Sequence, residues 1–281
     1  MSIAGTNIKS VEWLYNNLNT KHLVILDASM PKATDKNTSD STANYGIKGT
    51  RFFDIKTAFS DTTAAFPNTL PSAEKFTASA QQLGINNDSI IVVYDRLGIY
   101  SSARAWYLFK AMGHKNVVVL DGGLPAWEKA GYPIEKREDI AIKPGDFQAN
   151  YAASYFYNAT DVLSKLNDDS TLILDARTTD RFEGSVAEPR EGLRSGHIPS
   201  SKSMPFASLL QEGYLLANNE LEKIFTLKET HNKALVFTCG SGVTACVLAL
   251  AATEVGLKNI KVYDGSWTEW GSRHELPIVS K

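Results

Sequence analysis

The chain repeats itself, and the repeat confines it to two copies of one plan. In the first half Leu26-Asp27-Ala28-Ser29 follows the apolar run Leu23-Val24-Ile25; in the second, Leu174-Asp175-Ala176-Arg177 follows Leu172-Ile173. A helical pattern carrying Leu-Asn precedes each, Leu18-Asn19 and Leu166-Asn167. Further on, Lys115-Asn116-Val117-Val118-Val119-Leu120-Asp121-Gly122 matches Lys258-Asn259-Ile260-Lys261-Val262-Tyr263-Asp264-Gly265. Each copy then places a tryptophan six residues after the aspartate, Trp127 and Trp270. So many agreements in one order mark a duplicated domain.

Within each copy, short β-branched runs alternate with helical segments. Ile90 to Tyr94 and Leu235 to Thr238 have the continuous apolarity of buried parallel strands, as do Val117 to Leu120 and Ile260 to Tyr263. Ser101 to Met112 and Thr244 to Val255 read as helices, each stopped by a glycine, Gly113 and Gly256. This alternation predicts an α/β fold: two tandem domains, each a mainly parallel sheet flanked by helices. The boundaries fall at 1–135 and 151–281, with the polar stretch 136–150, which contains Pro144-Gly145, as linker.

Charge narrows the partners. The 281 residues carry 29 lysines and arginines against 31 acids, a net charge of −2. That balance gives no reason to expect nucleic acid or an anionic membrane as partner. No apolar run reaches membrane-spanning length, and Met1 to Leu14 lacks the pattern of a secretory signal, so the cytoplasm is the expected location. Cys239 and Cys246 are too few for a disulfide scaffold and do not form a Cys-x-x-Cys pair. The five histidines are scattered, so no metal site is expected.

The second copy carries the chemistry. Val236-Phe237-Thr238-Cys239-Gly240-Ser241-Gly242-Val243-Thr244-Ala245 reads as strand, glycine-rich turn and helix start. Cys239 therefore sits at the carboxyl end of a strand, where open α/β sheets bind ligands. Gly240 and Gly242 let the backbone curl so that several N–H groups point inward as an anion nest, and the helix N-terminus adds positive potential. Both favour a thiolate, the nucleophilic form, and both would hold a persulfide. A cysteine without such surroundings reads as a small buried hydrophobe, which is the reading for Cys246.

At these residues the chain resembles the rhodanese superfamily, specifically its two-domain sulfurtransferases. The resemblance covers nearly the whole chain: the repeat, the segments from Asp121 to Trp127 and from Asp264 to Trp270, Gly196-His197-Ile198-Pro199, and the cysteine loop. The loop Cys239-Gly240-Ser241-Gly242-Val243-Thr244 resembles that of the 3-mercaptopyruvate sulfurtransferases; thiosulfate-using members usually have Arg-Lys directly after the cysteine. The resemblance implies a persulfide on Cys239 cradled by residues 240–244, with Ser241 donating or relaying a proton. It also implies Arg181 and Arg190, nine residues apart, as holders of the donor's oxo-acid end, a role suited to planar guanidinium forks. Read without the motif, both arginines are solvated surface cations. The implied donor is 3-mercaptopyruvate, with thiosulfate as the alternative. The acceptor would be a thiol, a thioredoxin-like protein or cyanide, and no cofactor is required.

Two further expectations follow. In the first copy, ungapped alignment puts Arg96 where Cys239 stands, or Asp95 with a one-residue slip; neither is a thiol, so this half is expected to be catalytically silent. In animal members of the family a first-domain acid and histidine support the loop serine. Here those places hold Lys56 and Asn68, so a Ser-His-Asp relay does not carry over and Ser241 would need water or another partner. A Cys-x5-Arg phosphatase is disfavoured because Ala245 stands in the arginine's place. An intact cysteine loop argues against a non-catalytic rhodanese-like binding module.

Overall fold

The computed structural model describes residues 5–34, 44–137 and 141–281. The chain divides into two compact units. The first comprises Met1–Asp61, Leu70–Ala152 and Glu212–Leu215; the second comprises Thr62–Thr69, Ala153–Gln211 and Leu216–Lys281. The short segment Thr62–Thr69, early in the sequence, thus belongs with the C-terminal unit.

Each unit is built on a five-stranded, wholly parallel sheet. In the first, the strands lie in the order Ile8–Lys9, Val117–Leu120, Ile90–Tyr94, Leu23–Asp27, Arg51–Phe52. In the second, the corresponding order is Phe156–Tyr157, Ile260–Tyr263, Ala234–Thr238, Thr171–Asp175, Lys202–Ser203. The α/β architecture expected from the alternating pattern is present in both. Parallel strands are covered on both faces, which is why the central ones read as unbroken apolar runs. Ile90, Val92 and Tyr94 face a core with Leu14, Leu124 and Trp127, leaving Ile91 and Val93 on the opposite face.

The repeat extends to details. Trp127 and Trp270 are both fully buried, and their indole N–H groups donate to Pro133 and Pro277 carbonyls at 3.0 and 2.8 Å. The helices Ser102–Ala111 and Ala245–Glu254 are each a residue shorter at both ends than the sequence pattern indicated. Residues 141–150 of the expected linker pack within the first unit: Gly145 donates to the Gln81 carbonyl, and Phe147 is buried against Phe76 and Phe109. Among the described residues no helix is long and apolar enough to cross a membrane.

Candidate active site

Cys239 follows the central strand Ala234–Thr238 directly and is only 1% exposed. Its N–H donates to Ser266 Oγ at 3.2 Å, and its Sγ lies 3.9 Å from the same oxygen. Ser266 in turn donates to the Tyr263 carbonyl at 2.8 Å. Its backbone is left-handed, with φ of 48°, where the first copy has Gly123 with φ of 56°. A serine held in this conformation carries a strain that glycine avoids, and here its hydroxyl braces the cysteine. Cys246 is different: it lies in the buried stretch Ala245–Ala252 of a helix and its thiol donates to the Gly242 carbonyl at 3.3 Å.

The cysteine loop spends its carbonyls but leaves several of its N–H groups without an acceptor among the described residues. The carbonyls of Cys239 and Gly240 accept from the N–H groups of Trp267 and Thr268, at 2.9 and 2.8 Å. The Ser241 carbonyl accepts from Asn68 Nδ2 at 3.4 Å and that of Gly242 from Cys246. Those of Val243 and Thr244 accept from Cys246 and Val247 N–H. By contrast, the N–H groups of Gly240, Ser241, Val243 and Thr244 meet no acceptor among the described residues. Gly242, at φ of 73°, supplies the left-handed turn that lets successive N–H groups converge. Buried polar groups ordinarily find partners, so a row of unspent donors beside a thiol marks a place for an anion.

Two guanidinium groups approach the same loop. A methyl group placed on Gly240 would meet Arg181 Nη2 at 3.3 Å and Arg190 Nη1 at 3.8 Å. Gly240 thus keeps clear the space beneath both arginines. Their roles differ. The Nε and Nη2 edge of Arg181 is bonded to both oxygens of Glu188, a carboxylate whose side chain is 1% exposed. Glu188 also accepts from Arg177, which is held by Asp175 and lies 4.3 Å above the Trp267 ring. Burial works against the charge on Arg177, but Asp175 and Glu188 hold its pKa above the ordinary arginine value. Arg190 makes no ion pair among the described residues, and its Nη2 donates to Ser241 Oγ at 3.3 Å. Arg190 therefore brings an uncompensated cation to the loop, whereas the charge on Arg181 is already shared with Glu188.

The structure thus gathers Cys239, Ser241, Arg181, Arg190 and residues 240–244 around one loop. His197 lies elsewhere in the packing, stacked on Phe182 with Nδ1 at 2.8 Å from the Phe182 carbonyl, the work of a turn residue. Three site residues escaped the sequence reading. Glu188 sits inside the Glu188-Pro189-Arg190 motif, but its pairing depends on a fold back to Arg181. Ser266 was signalled by the mismatch with Gly123 in otherwise aligned repeats. Asn68, noted only as a missing histidine, itself donates to Ser241 Oγ at 3.1 Å.

The rhodanese-like domain family matches the chain twice, over residues 10–130 and 158–273. The 3-mercaptopyruvate sulfurtransferase of Escherichia coli (strain K12) is 37% identical over 270 residues, covering 95% of each chain. Thiosulfate/3-mercaptopyruvate sulfurtransferase 1, mitochondrial, of Arabidopsis thaliana is 37% identical over 297 aligned residues, covering 97% of this chain and 78% of that protein. The crystal structure of SseA, a 3-mercaptopyruvate sulfotransferase from Escherichia coli, matches with a TM-score of 0.84 at 34% identity, covering 94% of this chain and 99% of that one. With two parallel-sheet units, a repeat that reaches individual hydrogen bonds and matches over both halves, the chain belongs to the rhodanese family as a member with two tandem domains.

Proposed function

We propose that this chain is a sulfurtransferase that takes sulfur from 3-mercaptopyruvate onto Cys239, releases pyruvate, and passes the sulfur to a thiol, thioredoxin-like or cyanide acceptor. The observation that carries the reading is the polarity of the cysteine loop: its carbonyls are spent, the N–H groups of Gly240, Ser241, Val243 and Thr244 meet no acceptor among the described residues, and the uncompensated cation of Arg190 reaches into it. Such a loop stabilises the thiolate before transfer and the persulfide anion after it. The reaction is ping-pong, with the persulfide as its covalent intermediate. Arg190 and the remaining Nη1 of Arg181 hold the carboxylate end of the donor. The Cys239 thiolate attacks the donor's sulfur, and Ser241 serves the departing enolate.

Donor preference rests on where the positive charge sits. The loop offers no cation of its own next to Cys239; Gly240 leaves that space to two arginines from outside the loop. An arginine at position 240 would compete with them. Thiosulfate is the second reading, supported by the Arabidopsis relative, whose name carries both donors. Incubation with 3-mercaptopyruvate followed by intact-mass measurement is expected to add one sulfur atom, on Cys239, in wild type and in Cys246→Ser but not in Cys239→Ser. Sulfur on Cys246, or turnover by Cys239→Ser, overturns the assignment. A higher kcat/KM for thiosulfate than for 3-mercaptopyruvate overturns the donor preference alone.

A further inference from the structure

Ser241 is 8% exposed, and its Oγ receives two hydrogen bonds, from Asn68 Nδ2 at 3.1 Å and from Arg190 Nη2 at 3.3 Å. A guanidinium can only donate. The direction of the Asn68 bond follows from a second contact: the same Nδ2 lies 3.4 Å from the Ser241 carbonyl oxygen, which can only accept. Flipping the amide would set oxygen against oxygen, so the orientation follows from the bonds themselves. A hydroxyl has two acceptor positions and one proton. With both acceptor positions taken by N–H donors, its proton is left to point away from Asn68 and Arg190.

We propose that Asn68 is a positioning residue which, together with Arg190, makes Ser241 a one-way hydrogen-bond donor to the departing enolate rather than a proton relay. The proposal rests on the 3-mercaptopyruvate reading above. In that reaction the Cys239 thiolate forms an S–S bond as the donor's C–S bond breaks. The electron pair of that bond passes to the ketone oxygen, giving the enolate of pyruvate. Carbon is reduced, sulfur is oxidised, and no outside oxidant is needed. The proton first carried by the donor thiol reaches the methylene carbon through solvent, leaving Cys–S–S⁻ and pyruvate. Negative charge therefore appears on an oxygen that was neutral in the ground state, and a donor fixed in advance stabilises the transition state more than the ground state. Sulfite leaving thiosulfate develops little new charge on any one oxygen. An amide does not titrate, so the donor keeps its direction across the neutral range, which a histidine at this position would not.

Steady-state kinetics of Asn68→Ala, Asn68→Asp and Asn68→His with both donors test this, with thermal unfolding to identify any variant that fails to fold. Asn68→Ala is expected to lower kcat for 3-mercaptopyruvate about tenfold with little change in KM, and to lower thiosulfate turnover several-fold less. Asn68→Asp, close in shape, turns a donor into an acceptor that draws the serine proton inward, so its loss with 3-mercaptopyruvate exceeds that of Asn68→Ala. Asn68→His adds one inflection to the kcat–pH profile near the histidine range that wild type lacks. Equal losses with both donors, a change in KM alone, or an Asn68→Asp variant as active as wild type overturns the proposal. Wild type that turns over thiosulfate but not 3-mercaptopyruvate overturns the donor reading, and the enolate role with it, a result distinct from any of these.

Discussion

The loops after the central strands of the two units start from the same place and end in opposite states. Tyr94 pairs with Asp27 and Thr238 with Asp175 in the same register, so the residue after each, Asp95 and Cys239, is equivalent. This settles the alignment in favour of Asp95 over Arg96. Each passes its carbonyl to a helical N–H, from Leu124 or Trp267, at 2.9 Å. In the first unit the Asp95 carboxylate then fills its own loop. Oδ1 accepts from Leu97 N–H at 2.8 Å, and Oδ2 accepts from Tyr100 and Ser102 N–H at 2.8 and 2.9 Å. Complete burial pushes the Asp95 pKa above the ordinary aspartate value, while these donors act the other way. The loop after Cys239 reaches its helix one residue sooner, and its Ser241, Val243 and Thr244 N–H groups meet no acceptor among the described residues. The fold builds this strand-to-helix loop twice. One copy closes it with a side chain, and the other presents it beside a thiol.

That contrast can be broken by exchange. Cys239→Asp gives the second loop the residue of the first; turnover is expected to vanish while the thermal midpoint stays level or rises, because the carboxylate meets unspent donors. A clear fall in the midpoint would mean that those N–H groups do not form a cradle. The reverse deletion, Asp95→Ala, strands three N–H groups and is expected to cost about 3 kcal/mol, against about 1 kcal/mol for Cys239→Ala. Hydrogen exchange at residues 95–102 localises the effect, and similar costs for the two variants would erase the distinction.

The two arginines sharpen the comparison within the second unit. Losing a charge-assisted hydrogen bond costs roughly 1.5–3 kcal/mol, about ten- to a hundredfold in kcat/KM. Arg190→Ala is expected near the upper end with 3-mercaptopyruvate and Arg181→Ala near the lower, because only Arg190 lacks an acidic partner among the described residues. Equal kcat/KM losses would show that Glu188 does not temper Arg181. The smallest effect concerns acid. His114 follows the first-unit helix where Leu257 follows the second, each donating its N–H to a helical carbonyl, Phe109 and Ala252, at 2.9 Å. Burial lowers the His114 pKa below 6.5, with Nε2 at 3.0 Å from the Ser89 carbonyl. The unfolded chain therefore takes up a proton that the folded one resists, and the first unit loses stability as pH falls below about 6.5. His114→Phe is expected to flatten the dependence of its urea midpoint between pH 7 and 5; an unchanged slope removes the histidine from the account.

Much of this was legible in the residues. The central strands, the glycine turn and the cysteine at a strand end follow from short-range periodicity and from the backbone freedom of Gly242. Arg181 and Arg190 were legible as a motif but not as a pair with different partners, because Glu188 and Arg177 are joined to Arg181 only by the folded loop. Lys56 and Asn68 looked like losses when set against an acid and a histidine. In the structure Asn68 is a donor to Ser241 across 173 residues of chain, a relation that no local pattern encodes.

The sequence by itself determined that the chain holds two copies of one α/β plan and that only the second can carry a thiol at the strand end, because strand and turn propensities act over a few neighbouring residues. The tertiary structure alone decided which backbone groups of the loop around that thiol are spent and which meet no acceptor among the described residues. The direction of each backbone dipole there depends on where its carbonyl finds a donor, and those donors come from Asn68, from the helix Ser266–Trp270 and from the helix Ala245–Glu254, brought together only when the second unit folds.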